Sequence, residues 1–191
     1  MHHSPQLKPI GLMALWSVTS FILLNPLCDS TVAAESLQAE TIEIAADEVV
    51  TTDLFITAGV ATISGKVEGD LFIIANEVRI SGEIGGSTYL LARTTQVSGT
   101  MQGTVRWAGD SISLLENASL ARDLFALGNS VSTEPQTQIT GSLNVAARSL
   151  DLQGDVVQEA RLAGDDVKLV GRFESDVSLA IASVSGCLLY T

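Results

Sequence analysis

Four aspartates recur at one position of a repeating pattern, and their residue type and spacing could do chemistry. Each stands second in its repeat, where other repeats carry Ser, Thr or Glu: Asp53, Asp70, Asp123 and Asp176. Such a column could bind cations or form the acidic cluster of a polysaccharide-cleaving β-helix. The favoured interpretation is a corner residue whose carboxylate accepts a hydrogen bond from a nearby backbone N–H. Because no companion residues stand at metal-binding spacing, we predict no catalytic site and no metal site.

A second column is apolar and is predicted to point outward. It consists of aromatic and aliphatic residues that alternate with inward positions: Phe55, Phe72, Ile74, Tyr89, Leu91, Phe125 and Leu127. Arg106 is expected to interrupt this column, which polar residues replace in the last repeats. The result would be an exposed apolar stripe over the first five coils. Self-association or coverage is the favoured interpretation, and membrane contact or a carbohydrate-stacking platform are the alternatives. Trp107, in an inward column, is predicted to belong to the core.

The element that must position these residues is a repeat of roughly 17–19 residues. Rows share a template of roughly G-D-L-x-Φ-x-A/G-x-x-V-x-I-S-G-x-Φ-x, where Φ is apolar, and begin at Thr52, Gly69, Gly86, Gly103, Arg122, Gly141, Gln158 and Ser175. Apolar residues two apart in short runs indicate β-strands. The glycines and Ser-Gly pairs mark corners. Three short strands and three corners per row describe one coil of a parallel β-solenoid.

The predicted fold is therefore all-β, a single-stranded parallel β-helix that occupies residues 52–191. It would contain about eight coils, each of roughly 17–19 residues. Residues 35–51 are predicted to form an N-terminal cap or a partial coil, with a turn two residues longer than the repeat allows. The two longer rows need two-residue bulges, which "LLENASLA" and "STEPQTQIT" supply. Pro135 supports a loop in the second of these, because proline cannot donate to a central ladder.

Charge and residue content argue against several classes of function. Ten basic against 22 acidic residues give a net charge of −12, which repels nucleic-acid backbones. Both histidines lie within the first three residues, and no Ser-His-Asp set or Cys/His metal spacing occurs. We therefore predict that the protein is not an enzyme and needs no cofactor.

Residues 1–34 have the order of a secretory signal peptide. Lys8 lies in a short, weakly basic start, an uncharged apolar run extends from Ile10 to Leu24, and Val32 and Ala34 fill the small-residue positions. The run is shorter than the roughly 20 residues of a spanning helix. Cleavage after Ala34 is expected, with retention as an anchor as the alternative. The predicted localisation is exported: periplasmic, cell-surface or membrane-associated.

The repeat resembles that of the bactofilin-like, polymer-forming cytoskeletal proteins. The resemblance rests on G-D-L-x-x-x-A/G-x-x-V-x-I-S-G rows preceded by "IAADEVVTTDLFITAG", and it covers Glu40 to about Val184. It implies a right-handed parallel β-helix that assembles end to end into filaments without nucleotide. The secretory signal is a departure from the cytoplasmic members, so the chain looks closer to exported or membrane-anchored relatives.

Together these features predict a self-assembling scaffold of the cell envelope whose partner is a second copy of itself. Membrane or cell-wall components are further candidate partners. Terminal coils expose unpaired backbone groups, and the predicted contact residues there are Ile42, Ile44, Leu54, Val177, Leu179 and Val184. A carbohydrate-binding or polysaccharide-cleaving β-helix, or an adhesin-like passenger domain, is the alternative.

Overall fold

The computed structural model describes residues 34–184 and 189–190. They form a β-solenoid of nine turns, each with one long and one short strand. The predicted signal peptide lies outside the described residues except for Ala34. The all-β solenoid prediction is confirmed.

The long strands are odd-numbered and the short strands even-numbered. The long strands are β1 (Glu35–Ile44), β3 (Leu54–Ile63), β5 (Leu71–Ile80), β7 (Thr88–Val97), β9 (Val105–Leu114), β11 (Leu124–Thr133), β13 (Leu143–Leu152), β15 (Ala160–Leu169) and β17 (Val177–Val184). The short strands are β2 (Val49–Val50), β4 (Lys66–Val67), β6 (Glu83–Ile84), β8 (Thr100–Met101), β10 (Ser119–Leu120), β12 (Gln138–Ile139), β14 (Asp155–Val156), β16 (Arg172–Phe173) and β18 (Leu189–Tyr190). Turn 1 is β1 with β2, and turn 9 is β17 with β18.

Each set of strands stacks into one parallel nine-stranded sheet in sequence order. The register places equivalent residues of successive turns directly over one another, as in Phe55 over Phe72 and Ile56 over Ile73. A side chain at a given strand position therefore belongs to a column that runs the length of the solenoid.

The long strand bends at its middle and contributes two faces. In β5 the buried residues are Leu71, Ile73, Val78 and Ile80, so the inward alternation shifts by one residue between Ile73 and Val78. Ala75 lies at this bend, and every turn from the second to the eighth has Ala or Gly there. Ala75 pairs with Ala58 and Ala92, and pairing resumes at Glu77, so the ladder skips one residue at the corner. The prediction of three short strands per coil is therefore wrong, because the first two form one continuous ten-residue strand.

The solenoid also starts earlier than predicted. Residues 35–50 form a turn with both strands rather than a cap or partial coil, which brings the total to nine turns. This turn is one of three that are longer than the others by two residues, and its register sets Glu35 over Leu54. The two extra residues sit in tight turns closed by Glu48 N–H to Ala45 O (2.9 Å), Ala118 N–H to Leu115 O (3.1 Å) and Thr137 N–H to Glu134 O (3.3 Å). Both predicted bulges are thus confirmed.

The core is a stack of aliphatic side chains along the solenoid axis, and Trp107 is its largest member. Its indole is 3% exposed, so its predicted place in the core is confirmed. Ala126 is the next residue along its column. A Cβ built on Gly128 would lie 2.5 Å from the Trp107 ring. The turn after the tryptophan therefore makes room for it with two small residues.

Candidate functional site

The aspartate column is structural and holds successive turns together. Asp70 N–H donates to Asp53 Oδ1 at 2.9 Å, and Ser87 N–H donates to Asp70 Oδ1 at 2.8 Å. Ser142 N–H makes the same bond to Asp123 Oδ1 at 2.8 Å. Each of these carboxylates accepts a bond from the backbone N–H one turn further along. The predicted corner role is confirmed for these three aspartates.

The residues that could bind a partner lie on one flat side of the solenoid, which we call the first face. It comprises the outward side chains at the second and fourth positions of every long strand. At the second position, the rings of Phe55 and Phe72 stack with centroids 4.4 Å apart and planes 2° from parallel. Phe72 and Tyr89 stack in the same way at 4.6 Å and 2°. In-register pairing of parallel strands produces this ladder, because it brings identical positions to adjacent levels.

Arg106 is the charged member of this column, and it stacks with the rings on either side of it. Its guanidinium carbon lies 5.3 Å from the centroid of the Tyr89 ring and 5.6 Å from that of Phe125. Arg106 Nη1 also lies 3.5 Å from the Tyr89 hydroxyl. A planar cation between two ring faces is favourable. The ladder is therefore continuous from Phe55 to Phe125 over five turns, with an arginine as its fourth member.

The fourth position carries a parallel aliphatic column. Ile74, Leu91 and Leu127 are 56%, 55% and 62% exposed. Ala108 lies between Leu91 and Leu127 and leaves a gap in the column. The two columns border an open groove of about 980 Å³ that extends from Phe55 to Arg161. Such a concentration of exposed apolar side chains is unusual for a solvent-facing sheet.

The first face is also free of negative charge. Nine long strands with two outward positions each give eighteen positions, all of which the structure describes. None of the eighteen is Asp or Glu, although the chain has 22 acidic residues. Its charged residues are Arg106 and Arg161, and Arg161 pairs with Glu159 at the adjacent corner through two bonds of 2.9 Å. The neighbouring face, formed by the seventh and ninth positions, carries ion pairs such as Lys168 with Asp151 at 3.1 Å. Exclusion of carboxylates is thus particular to the first face.

The residues predicted to contact a partner at the ends have different environments. Ile42 and Ile44 lie in β1 and are largely buried, and Leu54 lies one turn deeper with no exposed surface. Leu54 therefore belongs to the interior of the second turn and does not reach the end. Leu37 of β1 is partly buried against the core at this level. At the other end Val177 and Leu179 are also partly buried, and the side chain of Val184 lies outside the described residues.

The described ranges offer no second kind of site. Nowhere in residues 34–184 or 189–190 do three His, Cys, Asp or Glu side chains gather as a metal-binding group. The same residues contain no apolar helix of membrane-spanning length.

Comparison with protein-family models, with curated proteins and with solved structures gave no match to this chain.

Proposed function

We propose that the protein is a structural scaffold that assembles end to end, without nucleotide, by stacking the terminal turn of one copy on that of another. The observation that carries this proposal is the uniformity of the stack. Successive long strands pair in register from β1 to β17. The contact that joins two turns within the chain could therefore join two chains.

The terminal strands supply the backbone groups for such a contact. Within the part of the chain that the structure describes, β1 pairs with β3 alone, and its other edge has no neighbouring strand. An unpaired strand edge is a template for another strand. The carboxylate column could extend across the junction, since each aspartate accepts an N–H from the following turn.

The ends are also less completely buried than the middle of the core. In turn 1, Ile42 and Val50 keep 8% and 7% of their surface exposed, whereas Ala61 and Val67 directly after them keep none. Leu37, Val177 and Leu179 are only partly buried. A second copy that covers these side chains would gain hydrophobic free energy, about 25 cal/mol per Å² of apolar surface removed from water.

The proposed location is the cell envelope, and it depends on the sequence of residues 1–34 rather than on the fold. The resemblance of the repeat to bactofilin-like proteins is consistent with polymerisation. A glycan-binding role is less well supported, because a sugar stacks on a free aromatic face. Phe72 contacts a neighbouring ring on each side and exposes its edge instead.

Electron microscopy and light scattering of the chain in nucleotide-free buffer test the proposal. Rods whose mean length increases with protein concentration are expected. Leu179→Lys places a charge on the apolar end of the stack and should shorten the rods while the β-type circular dichroism persists. Val170→Lys is the matched control, because Val170 is an exposed aliphatic residue of turn 8 that lies outside both the end and the first face.

The proposal would be wrong if the chain stayed at a constant mass over a wide concentration range. Rods of unchanged length in Leu179→Lys would leave assembly in place but refute this contact. A constant-mass chain that binds or cleaves a glycan would favour the alternative.

A further inference from the structure

The two halves of the first face differ in a way that makes the face complementary to itself. The large apolar side chains concentrate in turns 2 to 4, and small or polar ones occupy turns 7 to 9. At turns 5 and 6, each column has one large apolar residue and one small or polar residue. A face with this distribution matches its own reversed copy.

The fourth-position column shows the match in size. From turn 2 to turn 9 it consists of Thr57, Ile74, Leu91, Ala108, Leu127, Ala146, Ala163 and Ala180. If the column is reversed about the boundary between turns 5 and 6, Leu127 faces Ala108, Leu91 faces Ala146, and Ile74 faces Ala163. Facing a large residue with a small one lets two sheets interdigitate at a uniform spacing of about 10 Å.

The second-position column shows the match in chemistry. From turn 2 to turn 9 it consists of Phe55, Phe72, Tyr89, Arg106, Phe125, Asn144, Arg161 and Ser178. The same reversal puts Arg106 opposite Phe125 and Phe72 opposite Arg161. In both pairings an arginine lies opposite an uncharged ring, so the positive charges of the two copies are kept apart. A reversal about turn 5 itself would instead set Arg106 against Arg106.

We propose that the first face binds a second copy of this chain, with the two solenoid axes antiparallel. The two-fold axis runs parallel to the long strands, between turns 5 and 6. Rotation about it sets turn 5 over turn 6, turn 4 over turn 7, turn 3 over turn 8 and turn 2 over turn 9 of the second copy. Each column then lies over the same column of the partner.

The size of this contact reaches the lower limit for a biological interface. Eight turns at about 4.8 Å and four residues at about 3.3 Å give roughly 500 Å² per copy in projection. The two copies together would bury roughly 1,000 Å² or more, which is the lower bound for a biological interface. Charge also favours this side, because two chains of net charge −12 would meet on a face that carries no carboxylate.

This lateral contact is separate from the end-to-end contact proposed above, because it uses outward side chains and leaves the terminal strand edges free. The two can therefore be tested independently. Leu179→Lys tests the end-to-end contact, and substitutions at the exposed position Leu91 test the lateral contact.

Sedimentation equilibrium of the full chain with Leu179→Lys as background tests the lateral contact. A reversible dimer is expected, and adding Leu91→Glu should weaken it by roughly tenfold or more, because each dimer would bury two unpaired carboxylates. Gln96→Glu is the matched control: it lies in the same turn, is exposed on the neighbouring face, and introduces the same charge. A monomeric background protein, or equal dimerisation of the two variants, would overturn the proposal.

Cross-linking tests the register. Copies with Ile74→Cys are mixed with copies carrying Ala163→Cys, both with Cys28 and Cys187 replaced by serine, and treated with a bismaleimide that spans about 10 Å. Cross-linked dimers should form in the mixture and not with either variant alone, because turn 3 faces turn 8 of the partner. Cross-linking of Ile74→Cys with itself, or none in the mixture, would overturn this arrangement.

A lipid surface is the competing occupant, and the same variants distinguish it. A monomeric chain that binds phosphatidylglycerol vesicles, and loses that binding with Leu91→Glu but not with Gln96→Glu, would overturn the proposal in favour of lipid.

Discussion

The indole N–H of Trp107 donates a hydrogen bond to the hydroxyl oxygen of Thr95 at 3.0 Å inside the core of the solenoid. The two residues lie in successive turns, twelve positions apart in the sequence. Both are buried. The bond therefore satisfies a polar group that has no access to water, and it joins turn 4 to turn 5.

Removal of this acceptor should destabilise the protein. Thr95→Val leaves the indole N–H buried and unpaired, which should lower the free energy of unfolding by about 1–3 kcal/mol. Urea denaturation followed by tryptophan fluorescence measures the change. Thr88→Val is the matched control, because Thr88 lies in the same strand, is equally buried, and has a hydroxyl with no hydrogen-bond partner among the described residues. It should be neutral or stabilising, and an equal loss in both variants would contradict the argument.

The carboxylate of Asp70 should contribute to stability through its bond to the next turn. Asp70→Ala leaves the Ser87 N–H without this acceptor at a half-buried corner, and a loss of about 1–2 kcal/mol is expected. Asp155→Ala, at an exposed position of a short strand, should change the stability by less than about 0.5 kcal/mol. Thermal denaturation with and without a chelator completes the test. A melting temperature that falls on chelation would point to a cation ladder instead.

The corner column of glycines should not accept a side chain. A Cβ on Gly82 would lie 1.8 Å from the carbonyl oxygen of Gly65 in the previous turn. Because two backbones approach each other there, Gly82→Ala should force the turns apart at a cost of about 2–3 kcal/mol. Ser81→Ala, at the adjacent exposed position, is the control and should be nearly neutral. Chemical denaturation compares the two, and a Gly82→Ala protein as stable as the control would refute the close approach.

Gln136 should be replaceable with a gain in stability. It follows Pro135 in the tight turn of one of the longer repeats and has a φ of 70°, in the left-handed region that disfavours side chains with a Cβ. Gln136→Gly should raise the free energy of unfolding by about 0.5–1 kcal/mol. Asn117 occupies the equivalent turn with a φ of 67°, but asparagine tolerates this region, so Asn117→Gly should give a smaller gain. An equal or larger gain at Asn117 would contradict this explanation.

The sequence alone was sufficient to predict the repeat, the inward columns and the places of the bulges. Leu71, Ile73, Val78, Ile80 and Ile84 occupy the apolar positions of the repeat template, and all five are buried. Their periodicity can be recognised in the sequence because each position of the repeat has similar surroundings in every turn of the solenoid. Errors arose where a single turn was considered in isolation. Residues 35–51 match the repeat template poorly. They nevertheless form a full turn, because a turn can stack on the next one when its inward positions carry apolar residues.

Contacts between turns could be decided only by the tertiary structure. Arg106 breaks a pattern of aromatic residues in the sequence, but its guanidinium is flat and fits between the rings of Tyr89 and Phe125 as a further layer. In the sequence, the corner at Ala75 looks like a break between two strands, although one strand extends through it from Leu71 to Ile80. The sequence determined which residue types recur at each position. The three-dimensional stack determined what each side chain touches, because its nearest neighbours lie a full turn away along the chain and their contacts depend on shape as much as on polarity.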